Sequence, residues 1–106
     1  MATFSSFNSQ RPRQAWDGVQ ARVITGERLT MALVDLEPNK PVGEHHHGNE
    51  QLGFILQGEL TFTIGGETRT LGPGDTYAIS SEVLHSAVTG PQGCVVVDVF
   101  APVRAD

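Results

Sequence analysis

The sequence predicts an all-β fold, an antiparallel sandwich or barrel built as a single domain. Turn signals such as Gly26-Glu27, Gly65-Gly66 and Gly72-Pro73-Gly74-Asp75 recur roughly every eight to twelve residues. The runs between them alternate with the two-residue period of a strand, and no window holds helical periodicity over several turns. At 106 residues the chain has room for one core, which would bury about two thirds of the unfolded surface.

Residues 1–14 are rich in Ser, Asn, Gln and Arg, with Phe4 and Phe7 as the large apolar side chains. That composition offers little to bury and predicts a mobile arm ahead of a barrel domain at 15–106. Trp16 and an Asp17-Gly18 turn lead into strands over Val19 to Thr25 and Arg28 to Leu36. In the second, Leu29, Met31 and Leu33 share one face and Thr30, Ala32 and Val34 the other. Pro38 to Pro41 reads as a loop, Gln51 to Leu56 as a strand, and Gln57-Gly58 as a turn. Glu59 to Ile64 alternates cleanly, and Gly65-Gly66 makes a two-residue hairpin into Glu67 to Leu71, since both glycines accept positive φ. Short strands follow over Thr76 to Ile79 and from His85, and Gly93 to Ala101 closes the domain before Pro102.

Composition excludes several partners. Twelve acidic against seven basic residues give a net charge of -5, which repels nucleic acid and anionic membranes. The single cysteine, Cys94, permits no internal disulfide. It reads as a core residue in a reducing compartment. With no apolar run of signal-peptide or membrane-span length, the expected location is cytoplasmic.

The chemistry concentrates in the stretch Gly43 to Gly58. His45 and His47 lie two apart, so on an extended chain both imidazoles project from one face and are able to share a metal. A second register would use Glu44, His46 and Glu50, also at even spacing. A third reading makes the histidine run a solvated loop and His85 a core residue. The C-terminal run Asp98 to Arg104 adds a lone acid, Asp98, on the face of Phe100 and opposite Val95, Val97 and Val99. An acid in an apolar strand needs a partner or a function. Arg104 follows at a spacing suited either to gripping a carboxylate or to tethering the tail.

These residues resemble the two motifs of a small single-domain cupin, over about residues 16–104. In the first motif His45, His47, Gln51 and Gly58 take the positions of His, His, acid and Gly, with Gln in place of the usual acid. In the second, Gly74 and His85 fit, whereas Ser80, Glu82 and Thr89 stand where Pro, Gly and Asn are usual. The resemblance implies a cupin double-stranded β-helix of the jelly-roll, RmlC-like type. It also implies one divalent transition metal (Zn, Ni, Fe, Mn or Co) held by His45, His47, Gln51 and His85. A neutral ligand set favours an anionic substrate or hydroxide at the ion.

Gln51 together with Asp98, Phe100 and Arg104 is similar to the cupins that open unsaturated uronate sugars from pectin and alginate. By that resemblance Arg104 binds the substrate carboxylate, Asp98 is the general acid/base and Phe100 shapes the pocket. Two other functions stay open: a non-haem dioxygenase acting on a small acid or thiol, and a non-catalytic ligand-binding or sensor cupin. The expected partner is a small anionic organic substrate. A homodimer is also expected, because the 51–56 strand is apolar on both faces.

Overall fold

The structure, a computed structural model, describes residues 3–104. Residues 1–2 of the expected arm and 105–106 of the expected barrel lie outside the described residues. Eight strands follow a short 3-10 turn at Phe7–Ser9. They are β1 (Arg13–Trp16), β2 (Val19–Thr25), β3 (Thr30–Leu36), β4 (Pro41–His45), β5 (Glu50–Ile64), β6 (Glu67–Leu71), β7 (Thr76–Ile79) and β8 (His85–Ala101). All pairings are antiparallel, in the order β1-β2-β3-β8-β5-β6, with β4 also on β8 and β7 also on β5.

Two long strands make the two layers. Residues 94–101 of β8 pair with β3 and with residues 50–58 of β5, whereas 85–89 pair with β4 and with 60–64 of β5. Sequence reading divides both strands at their glycines. The structure instead runs straight through, bending at bulges beside Gly58 (φ +82°) and Gly93 (φ +76°). A Cβ on Gly58 would run into the Gly93 carbonyl oxygen and come within 2.9 Å of Cys94 Cα. Only glycine lets the two chains cross so closely at the bend. The Gly65-Gly66 hairpin forms as expected, with φ of +56° and +87°.

The alternation seen in the sequence sets the core. Ile55, Leu60, Phe62, Tyr77, Ile79, Cys94 and Val96 pack together inside. Opposite them, rows of neighbours cross the outer face from β3 through β8 and β5 to β7: Met31, Val99, Leu52 and Ala78, then Leu33, Val97, Phe54 and Thr76. On this face Leu52, Phe54 and Leu56 are exposed. At the N-terminus β1 starts at Arg13, within the stretch read as an arm, and Phe4 is fully exposed. Among the described residues no helix is long and apolar enough to cross a membrane.

Candidate metal centre

Antiparallel pairing of β4 with β8 puts His45 directly opposite His85. His47 follows two residues later, in the turn before β5, and the three rings converge at one end of the barrel. Ring centroids are 4.2 Å apart for His45 and His85, 4.9 Å for His47 and His85, and 6.1 Å for His45 and His47. One nitrogen from each lies within 4.8 Å of the others. His85 is buried, the other two partly so.

The hydrogen bonds fix which nitrogens face inward. Nδ1 of His45 lies 2.7 Å from the Gly43 carbonyl, that of His47 3.0 Å from the Asn49 carbonyl, and that of His85 2.9 Å from the Val83 carbonyl. A carbonyl only accepts, so each Nδ1 carries a proton, which leaves Nε2 as the nitrogen that bears the lone pair in a neutral ring. Burial foremost, then Arg104's charge, holds His47 below the usual imidazole pKa, and burial foremost does the same for His85. Both rings are thereby held toward the neutral form, the form able to offer a lone pair to a cation.

Two contacts fit a cation at this point. Among the described residues His85 Nε2 is buried and has no hydrogen-bond partner. Gln51, buried on β5, points Oε1 at His47 Nε2 from 3.1 Å. A neutral His47 that donates to Asn49 has no proton left for this amide oxygen, so two lone pairs face each other. An ion between them would satisfy both, and backbone-anchored imidazoles are the usual surroundings of a bound metal.

Among the described residues the competing register brings no such cluster together. Glu44 and Glu50 are exposed, and exposed His46 pairs through Nδ1 with Glu82 Oε1 at 2.9 Å. Glu82 also donates its backbone N–H to the His47 carbonyl at 2.8 Å. Its φ of +66° explains why glycine is usual at this position of the motif. Here the contacts to the histidine run hold a side-chain-bearing residue in that conformation.

The acid and the arginine flank the cluster. Asp98 is 7% exposed and accepts from the Tyr77 hydroxyl at 2.6 Å and from the Gln51 side chain. Burial pushes its carboxyl up to about 6, against the downward pull of those two hydrogen bonds and of Arg104. Asp98 thus turns Gln51 so that the amide oxygen faces the histidines, and sets a carboxylate just behind this neutral residue. Phe100 packs edge-on to His47 at 5.9 Å and carries the Arg104 guanidinium 4.9 Å above its ring. The Arg104 backbone N–H donates to Thr30 Oγ1 at 3.0 Å, so its tail is tethered while its head lies against the pocket. Together these residues line one cavity of about 660 Å³, with apolar walls including Val34, Leu60 and Val96.

A cupin-domain family model matches residues 32–100. The chain is a cupin. It is 32% identical over 92 residues to the pectin degradation protein KdgF of Dickeya dadantii (strain 3937), spanning 85% of this chain and 84% of that protein. The solved structure of KdgF from Halomonas sp. matches with a TM-score of 0.89 at 25% identity, over 100% of this chain and 97% of that one. An RmlC-like cupin from Shewanella frigidimarina matches in fold with a TM-score of 0.91 at 22% identity, over 100% and 96% of the two chains.

Three residues of this cupin's site escaped sequence reading. Asn49 accepts from His47 through its carbonyl, donates from Nδ2 to the Pro102 carbonyl at 2.6 Å, and accepts from Arg104 Nη1 at 3.5 Å. It ties the histidine loop to the C-terminal segment. Tyr77 reaches Asp98 across Gly53, the cross-strand neighbour of both. A Cβ on Gly53 would collide with the Asp98 carboxylate and approach the Tyr77 ring to 2.5 Å. A lone tyrosine in alternation with Ile79, and a glycine inside an apolar strand, were the available signals.

Proposed function

We propose that this cupin is a metal-dependent enzyme that opens the ring of a 4,5-unsaturated uronate to the linear keto acid. The observation that carries the proposal is a buried carboxyl titrating near 6, Asp98, on the same cavity as three convergent imidazoles and the Arg104 guanidinium. The relationship to a pectin degradation protein supports this substrate class.

A divalent transition ion held by His45, His47, His85 and Gln51 would supply Lewis-acid polarisation of a substrate oxygen. Arg104 binds the carboxylate through its fork of donors, and Phe100 beneath it limits the directions the guanidinium can take. Asp98 moves the proton. The C1 hydroxyl loses a proton and the bond from C1 to the ring oxygen breaks, leaving an aldehyde at C1. The released C5 enolate takes a proton at C4 and becomes the ketone, so the reaction is an isomerisation with no net loss of atoms. A carboxyl titrating near 6 both accepts and returns a proton at neutral pH. Tyr77 and Gln51 hold this carboxyl in place through hydrogen bonds.

The test is ultraviolet loss of the conjugated enol acid on incubation with an unsaturated monouronate. We expect turnover by the parent, and Asp98→Ala to lower it at least a hundredfold while one equivalent of metal stays bound. Metal retention without turnover of any sugar acid would support a binding cupin instead, and iron-dependent oxygen uptake a dioxygenase. We further propose that the molecule is a cytoplasmic homodimer, with the exposed Leu52, Phe54 and Leu56 covered by a second copy.

A further inference from the structure

Trp16 is the single tryptophan of the chain, and it remains 45% exposed. Leaving an indole half in water forgoes stabilisation that burial would bring, yet several features hold it there. It ends β1, which among the described residues is an edge strand paired with β2, and a register shift between Gln14 and Trp16 re-aims it. The following turn is tied down by Lys40 Nζ on Asp17 Oδ2 at 3.3 Å. The indole then lies against Gly43 of β4, where an added Cβ would sit 3.5 Å from its Cζ2. Its plane lies within 24° of the His45 ring at a centroid distance of 6.3 Å, and it lines the same cavity as the three histidines.

The two ends of the histidine cluster therefore differ. Beside His45 stands an indole, and beside His47 stands Phe100 with the Arg104 guanidinium upon it. A ligand lying across the imidazoles would have the indole at one end and a positive charge at the other. A pyranose acid has the matching shape: a ring face of C–H bonds, positively polarised toward the electron-rich indole, and a carboxylate on the rim. An open-chain sugar acid keeps the carboxylate and has no ring face.

We propose that Trp16 is the platform on which the ring of a cyclic sugar acid stacks, and that it makes the site prefer the cyclic substrate over the linear product. This rests on the ring-opening reading for its substrate, and gives that reaction a means of releasing what it makes. Opening the ring removes the surface that the indole holds, while the charge contact at Arg104 stays the same.

Zinc-loaded protein and two unreactive probes test this apart from turnover. Galacturonate is a saturated cyclic acid, and galactonate its open-chain counterpart of equal charge. Because the chain has one tryptophan, its fluorescence reports on this position alone. We expect galacturonate to shift the emission saturably to shorter wavelength as the indole leaves water, and galactonate to need about tenfold higher concentration. In the ultraviolet assay, Trp16→Ala should raise KM for the unsaturated uronate about tenfold, with most of the loss in KM rather than kcat, and Trp16→Phe should recover most of it. Equal responses to the two probes, or an active Trp16→Ala enzyme with the parental KM, would overturn the platform. A ring-selective indole response in a protein that turns over no uronate would uphold the platform and remove the ring-opening reading.

Discussion

Asp98 shows how much one buried side chain can weigh. Its carboxyl titrates at about 6 rather than 3.8, chiefly through burial. Between these values the unfolded chain is ionised while the folded chain keeps the proton. Its contribution to stability is therefore full below about pH 3.8 and is lost as pH rises through 6, a change of about 3 kcal/mol. His47 and His85 act in the opposite sense, since both are held below 6.5 by burial foremost and lose stability as pH falls from that value. In metal-free protein the two trends oppose each other. Urea denaturation from pH 4 to 7 should show the parent losing about 2 kcal/mol relative to Asp98→Asn across that range. A constant difference between the two proteins would contradict the shifted carboxyl. The sequence already marked Asp98 as an acid out of place, because strand alternation gave its direction. It did not reveal the clasp around the acid, because Tyr77 and Gly53 meet Asp98 only through pairing of β5 with β7 and β8.

At the scale of elements, β5 and β8 carry the site from one layer to the other. Alternation along each was legible, as was the jelly-roll class. Their continuity was not, since a glycine at a bulge and a glycine in a turn look alike in one dimension. Position 82 teaches the converse. Its departure from the usual glycine was visible, but the left-handed backbone and the His46 contact that go with it were not. The bend makes a direct prediction. Gly58→Ala requires a side chain at φ +82° with the Gly93 carbonyl in its way, and should cost at least about 2 kcal/mol in urea denaturation. Unchanged stability in this variant would mean that β5 and β8 do not cross as described.

For the whole molecule, the outer sheet face is the feature that remains to be covered. Leu52 and Phe54 sit in adjacent cross-strand rows flanked by Val97 and Val99, giving an apolar surface four strands wide. Sequence reading found this face because both sides of the 51–56 strand are apolar and only one can line a barrel. We expect sedimentation at micromolar concentration to give twice the 11.4 kDa chain mass. Phe54→Glu, which sets like charges together in a chain already at -5, should return it to one. A parent that sediments as a single chain would remove the dimer. Asn49 marks the limit of one-dimensional reading at this scale, because it draws significance from the Pro102 and Arg104 end of the chain.

The three imidazoles each lean on a carbonyl two positions away in their own segment: Gly43 for His45, Asn49 for His47 and Val83 for His85. Their orientation is thus inherited from the local backbone instead of being imposed by whatever ion arrives. If the proposed site is filled, such a cradle would let the ion leave and return without the domain unfolding, so one transition metal should replace another on dialysis, with metal analysis as the readout and far-ultraviolet circular dichroism unchanged.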